Sequence, residues 1–110
     1  MSRSTDERFG DILSAIERCR AYRGFLGSDE GQLADMAFDA TLRNLAVIGE
    51  AVRALPAETV ASMPEVPWTS IAGLRNIVVH EYFRVNPELI SDIVDNYLNQ
   101  LAAALEGPSS

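Results

Sequence analysis

Lysine is missing from this chain: all nine basic residues are arginine, set against 16 acidic ones, for a formal charge of −7 over 110 residues. Duplex nucleic acid is held non-specifically by neutralising many phosphates, so a chain this acidic lacks the basic carpet such binding requires. Any RNA contact has to be local, built around particular arginines. Cysteine is scarce as well. Cys19 stands alone, which excludes an internal disulfide or a cysteine-based zinc site, and its apolar neighbours at helical spacing predict a buried small hydrophobe. With one histidine and no paired histidine spacing there is no convincing ligand set, and neither a metal nor another cofactor is expected. No apolar run approaches the roughly 18 residues of a membrane helix, and Met1-Ser2-Arg3-Ser4-Thr5-Asp6 lacks the apolar core of a signal peptide. The expected location is the cytoplasm, with no membrane partner.

What is present is an ordinary globular composition, 47% hydrophobic and 23% charged, in a length that suits one domain. That domain is expected to fill residues 1–110, with an ordered bundle over about 7–105 and a short tail. From Asp6 to Tyr22, Phe9, Ile12, Leu13, Ile16 and Cys19 recur at spacings of three and four, with Thr5 or Asp6 as the cap. A second periodic stretch runs from Glu30 to Leu55 and stops at Pro56. Residues 56–67 hold three of the five prolines and read as a connector with one short turn at 57–62. A third helix is expected over Trp68 to Tyr82. Asn86-Pro87-Glu88 starts a fourth, which buries Ile90, Ile93, Val94, Tyr97, Leu98, Leu101 and Leu105 and ends at Gly107-Pro108. Four helices with short connections predict an all-α, antiparallel up-and-down bundle.

The chemistry concentrates in Arg75-Asn76-Ile77-Val78-Val79-His80-Glu81-Tyr82-Phe83. On a helical wheel Ile71, Leu74, Val78 and Tyr82 form the core stripe, Arg75 lies at its edge, and His80 points about 140° from Arg75. The two side chains converge only if the helix is irregular or a second subunit supplies one of them. A lone histidine in a helix is often structural, and an arginine there is often a solvated charge; the residue types alone leave both readings open. Asn76 is open in the same way between orienting His80 or a phosphate and facing solvent.

The string Arg75-Asn76-Ile77-Val78-Val79-His80-Glu81-Tyr82 resembles the Arg-x-x-x-x-His-x-Tyr motif of the HepT-like branch of the HEPN superfamily. Trp68-Thr69-Ser70-Ile71-Ala72-Gly73-Leu74 precedes it. Leu42-Arg43-Asn44-Leu45-Ala46-Val47-Ile48-Gly49-Glu50-Ala51 on the second helix is similar to that family's second signature, and Phe83-Arg84-Val85-Asn86 to its exit from the motif helix. The resemblance covers about Glu7 to Leu105. It implies a homodimer that brings two Arg-His motifs together, and a toxin of a type VII-like toxin–antitoxin pair that cuts RNA without a metal. It further implies an MntA-like minimal nucleotidyltransferase antitoxin that adenylylates the motif tyrosine, here Tyr82, and it raises Arg43 and Glu50 to supports of the motif helix.

The residue chemistry is compatible with that activity. Metal-free cleavage of an RNA phosphodiester uses the adjacent 2′-hydroxyl as nucleophile and needs a proton-transfer group and a cation for the charge that develops on phosphorus. Histidine, with an ordinary pKa of about 6.5, suits the first role, and the planar fork of arginine the second. Tyr82 on the core stripe reads equally as a packing residue, and Trp68 as an anchor for the connector. Ala72, Val79 and Phe83, off that stripe between Arg75 and His80, suit a dimer patch. Two other functions share these residues: a non-catalytic HEPN helper that binds a nucleotidyltransferase or its nucleotide, which the acidic surface suits, and an interaction bundle that keeps the motif for packing.

Overall fold

The first helix is capped one residue before Thr5 and two before Asp6, the caps expected from the sequence. Ser4 is the cap: its side-chain oxygen accepts the Glu7 amide at 3.1 Å, and Glu7 Oε1 accepts the Ser4 amide at 3.0 Å. Such a reciprocal box needs a glutamate three residues after the cap, which Ser4 has and Thr5 and Asp6, followed by Arg8 and Phe9, do not. The computed structural model describes residues 4–80 and 86–106, with Val79 and His80 as backbone only. Tyr82, Phe83 and the Gly107-Pro108 stop lie outside the described residues.

Among the described residues the fold is all-α. Helix α1 (Thr5–Arg23) is followed by α2 (Gly31–Arg53), the short α3 (Ala57–Ala61) in the connector, and α4 (Trp68–Ala72). Then come α5 (Leu74–His80), α6 (Pro87–Asp92), a π-helical turn (Ile93–Tyr97) and α7 (Leu98–Glu106). Helix α2 is the central post: α1 packs on it, as do α4, α5 and α6. Helix α1 also packs on the π turn and α7. There Arg20 donates to Asn99 at 2.8 Å and Arg23 donates two bonds to the Asp95 carboxylate at 3.0 and 3.1 Å. The later residue on α1 meets the earlier one opposite, so the two helices run antiparallel. The hydrogen bond to Asp95 raises the Arg23 pKa further above its ordinary value. Among the described residues no helix is long and apolar enough to cross a membrane.

Ile12, Ile16, Leu45, Ile48, Ile71, Leu74, Leu98 and Leu101 form the centre of the core, each fully or almost fully buried. Burial of an aliphatic side chain of this size is worth about 1.5–3 kcal/mol. Cys19 is wholly buried among them, and desolvation pushes its thiol up to about 12. A thiol held neutral and shielded should stay unlabelled by iodoacetamide at pH 8 and react once denaturant unfolds the chain; labelling at equal rates in both states would contradict this packing.

The structure corrects the sequence reading in two further places. The expected third helix is broken at Gly73, where α4 ends and its last amide turns back to Thr69 at 3.0 Å before α5 begins. Glycine costs about 1 kcal/mol in a helix interior, which makes this the weakest point of the run. Tyr97, expected in the core, is exposed. In the π turn the Leu98 amide reaches back five residues to the Ile93 carbonyl, and that extra residue rotates the downstream side chains by roughly 100° relative to an unbroken wheel. Tyr97 is carried off the stripe and Ala102 is carried into it, almost fully buried. The Asn86 cap with Pro87 in the first turn is found as expected: the Asn86 side chain accepts the Leu89 amide at 2.8 Å.

Candidate functional site

The seam between α2 and the α4–α5 pair carries the polar residues. Along α2, Arg43, Ala46, Glu50 and Arg53 follow one another at spacings of three, four and three, which aligns them on one flank. Beside them on α2, Gly49 lets the motif helix come close. A Cβ built at Gly49 would lie 3.0 Å from the Arg75 backbone nitrogen, 3.2 Å from Arg75 Cβ and 3.4 Å from the Ala72 carbonyl. Gly49→Ala is therefore expected to force the helices apart at a cost of roughly 1–3 kcal/mol. Chemical denaturation would measure it; unchanged stability would show that the seam tolerates the methyl.

This close approach delivers Arg75 to Glu50. Arg75 Nε stands 2.8 Å from Glu50 Oε1, with the side chains 40% and 57% exposed. At that exposure water screens the pair and its contribution to stability is small, roughly 0–1 kcal/mol. The pair sets the guanidinium beside Glu50 at the mouth of the seam, and its planar fork carries more donors than one carboxylate oxygen can take. Arg75 and Glu50 line an open recess of about 490 Å³ together with Arg43, Ala46 and the exposed Val47. Arg43 forms no ion pair with a described residue. Three of the residues singled out from the sequence, Arg43, Glu50 and Arg75, thus share one recess, although they come from two helices.

Asn76 goes elsewhere. It is exposed and lines a second recess of about 380 Å³ with Arg53, Thr69, Ala72 and Gly73. His80 is the last residue of α5, five positions after Arg75 on the same helix. Tyr82 lies outside the described residues. Among the described residues no group of three histidine, cysteine or carboxylate side chains could hold a metal ion. Trp68 anchors the connector, its indole nitrogen donating to the Met63 carbonyl at 2.9 Å.

The chain matches the model of the family described as Ribonuclease HepT-like over residues 12–107. That span takes in both signatures and the whole seam. The chain belongs to the Ribonuclease HepT-like family. Among curated relatives, a Methanocaldococcus jannaschii protein named "Putative RNase" is 44% identical over a match covering 56% of this chain and 60% of the relative. One of the same name from Caldanaerobacter subterraneus subsp. tengcongensis is 46% identical over 50% of this chain and 49% of the relative. These matches span about half the length of those relatives. A Thermococcus cleftensis protein named "Probable ribonuclease HepT" is 27% identical over 96% of both chains. No solved structure matches the chain significantly. Within the family, two seam residues were not singled out from the sequence as site candidates, Gly49 and Arg53. A glycine in the interior of a helix was the available signal for the first, and the three-four-three spacing from Arg43 for the second.

Proposed function

We propose that this chain is an endoribonuclease that cuts RNA without a metal, through attack of the 2′-hydroxyl on the neighbouring phosphate. It acts as the toxin of a toxin–antitoxin pair and is silenced by adenylylation of Tyr82. The observation that carries the reading is Arg75, paired with Glu50 at 2.8 Å on the edge of an open recess and on the same helix as the chain's one histidine. Family membership supports it.

In this mechanism the outer nitrogens of Arg75 grip the non-bridging phosphate oxygens and offset the charge that grows on them. The imidazole of His80 takes the proton of the 2′-hydroxyl as the O2′–P bond forms. An imidazolium returns a proton to the 5′-oxygen as the P–O5′ bond breaks. The products are a 2′,3′-cyclic phosphate and a 5′-hydroxyl. Arg75 and His80 diverge by about 140° on a regular helix, so the reading includes a two-fold dimer in which the Arg75 of one protomer works with the His80 of its partner. Purified protein should cleave single-stranded RNA in excess chelator and run as a dimer in light scattering at micromolar concentration. Cleavage that appears only with added magnesium would overturn the mechanism, and an active monomer would overturn the shared site. Absence of cleavage under all conditions would favour a non-catalytic partner of a nucleotidyltransferase.

A further inference from the structure

The recess lined by Arg53, Thr69, Ala72, Gly73 and Asn76 has an unusual composition for so acidic a chain. Its polar groups are a guanidinium, a hydroxyl and a carboxamide, all able to donate hydrogen bonds, and no carboxylate lines it. The recess beside Arg75 includes Glu50, and those at α6 and the π turn both include Asp92. Arg53 is exposed and forms no ion pair or side-chain hydrogen bond with a described residue, whereas Arg20, Arg23 and Arg75 each have a carboxylate. Such a site has spare donors and no carboxylate in its lining to compete for an anion.

Its place matters as much as its charge. Arg53 is three residues beyond Glu50 on the same flank of α2, about 4.5 Å further along the axis, and about 15 Å from Arg43. The two recesses adjoin across the contact of Gly49 with Ala72 and Arg75. A strand lying along this flank would meet Arg43, Arg75 and Arg53 in turn, and groups at such intervals track the backbone of a single strand better than they read any base.

We infer that the Arg53–Thr69–Asn76 recess is a second phosphate subsite, which holds the backbone of single-stranded RNA on the α4 side of the Arg75 site. The inference rests on the ribonuclease reading for its substrate. Arg53 grips a phosphate away from the bond that breaks, with Asn76 and Thr69 completing the donor set. The subsite adds affinity for longer strands and leaves the chemical step to Arg75 and His80.

The test is binding, which does not depend on turnover. A fluorescent 2′-O-methyl oligouridine, which lacks the nucleophilic hydroxyl, is titrated against the full chain and its variants over a series of salt concentrations. Arg53→Ala should weaken binding about three- to tenfold and lower the slope of log affinity against log salt by roughly 0.7. Arg20→Ala, which alters the α1–α7 side, should change neither. A cleavable dinucleotide too short to reach the subsite should be cut by Arg53→Ala at the wild-type rate. Equal affinity and equal slope for Arg53→Ala and the unaltered chain would overturn the subsite even where cleavage is intact, and so would failure of the unaltered chain to bind the oligouridine. Loss of dinucleotide cleavage in Arg53→Ala with its helical circular dichroism unchanged would assign the residue to the chemical step instead, also against the inference. Arg53-dependent binding without any cleavage by the unaltered chain would refute the ribonuclease reading while leaving the subsite standing.

Discussion

His80→Ala is expected to reduce RNA cleavage by roughly 10²- to 10⁴-fold, the range by which a positioned acid–base group accelerates such reactions, with the helical circular dichroism unchanged. Arg75→Ala should cost about 10²- to 10³-fold, the effect of deleting one donor to developing negative charge. Arg75→Lys should recover only part of it. A lysine keeps the charge but has no second nitrogen to grip the phosphate alongside the first. Mixing the two alanine variants separates a shared site from a site within one chain. If Arg75 of one protomer serves His80 of its partner, a heterodimer of His80→Ala and Arg75→Ala chains retains one intact pair, so mixed subunits should regain about a quarter to half of the activity. Inert mixtures would place both residues in one chain's site. Full activity of His80→Ala alone would remove histidine from the mechanism.

The second large effect concerns Tyr82. Adenylylation joins the tyrosine oxygen to the α-phosphorus of ATP, releases pyrophosphate and frees the phenolic proton. The ester places a phosphate charge and an adenosine two residues beyond His80. If the motif helix runs on past His80, a separation of seven positions brings Tyr82 within about 20° of Arg75 on a helical wheel. In the proposed dimer the new phosphate would then pair with Arg75 of one protomer or the other and occupy the position the RNA phosphate needs. Tyr82→Phe keeps the ring and removes the acceptor oxygen. It should cleave RNA like the unaltered chain and show no loss of activity after incubation with the cognate nucleotidyltransferase and ATP, while the unaltered chain gains AMP by intact mass and falls silent. A Phe variant that still gains AMP and loses activity would move the modification elsewhere.

Helix identity was legible in the sequence because apolar residues recur at spacings of three and four and because the breaks are chemical: Gly24 to Asp29, Pro56, and Asn86-Pro87. What escaped depends on single hydrogen bonds. The Ser4 cap was decided by Glu7 three residues away, and the π turn by one carbonyl, Ile93, accepting from Leu98 instead of Tyr97. That one bond moves Tyr97 out of the core and Ala102 into it, and an apolar pattern containing Val94, Tyr97, Leu98, Leu101 and Ala102 accommodates either register. Gly73 similarly sits in a run whose periodicity continues through it. For the candidate site, the motif residues stood out by type, but their grouping did not. Glu50 and Arg75 are 25 positions apart, and only the packing of α2 on α5 through Gly49 brings them to 2.8 Å, while adjacent Asn76 leaves the helix about 100° away and joins Arg53.

The proposed chemistry stands on an attacking group that comes from the RNA itself. The decisive measurement is cleavage, in excess chelator, of an RNA with a single 2′-deoxynucleotide on the 5′ side of a mapped cut, with fragment ends identified by mass spectrometry. Cleavage should vanish at the substituted position and persist at other cuts, whose upstream fragments carry 2′,3′-cyclic phosphate. Undiminished cleavage at the deoxy position, or upstream fragments that end in a free 3′-hydroxyl, would contradict the mechanism.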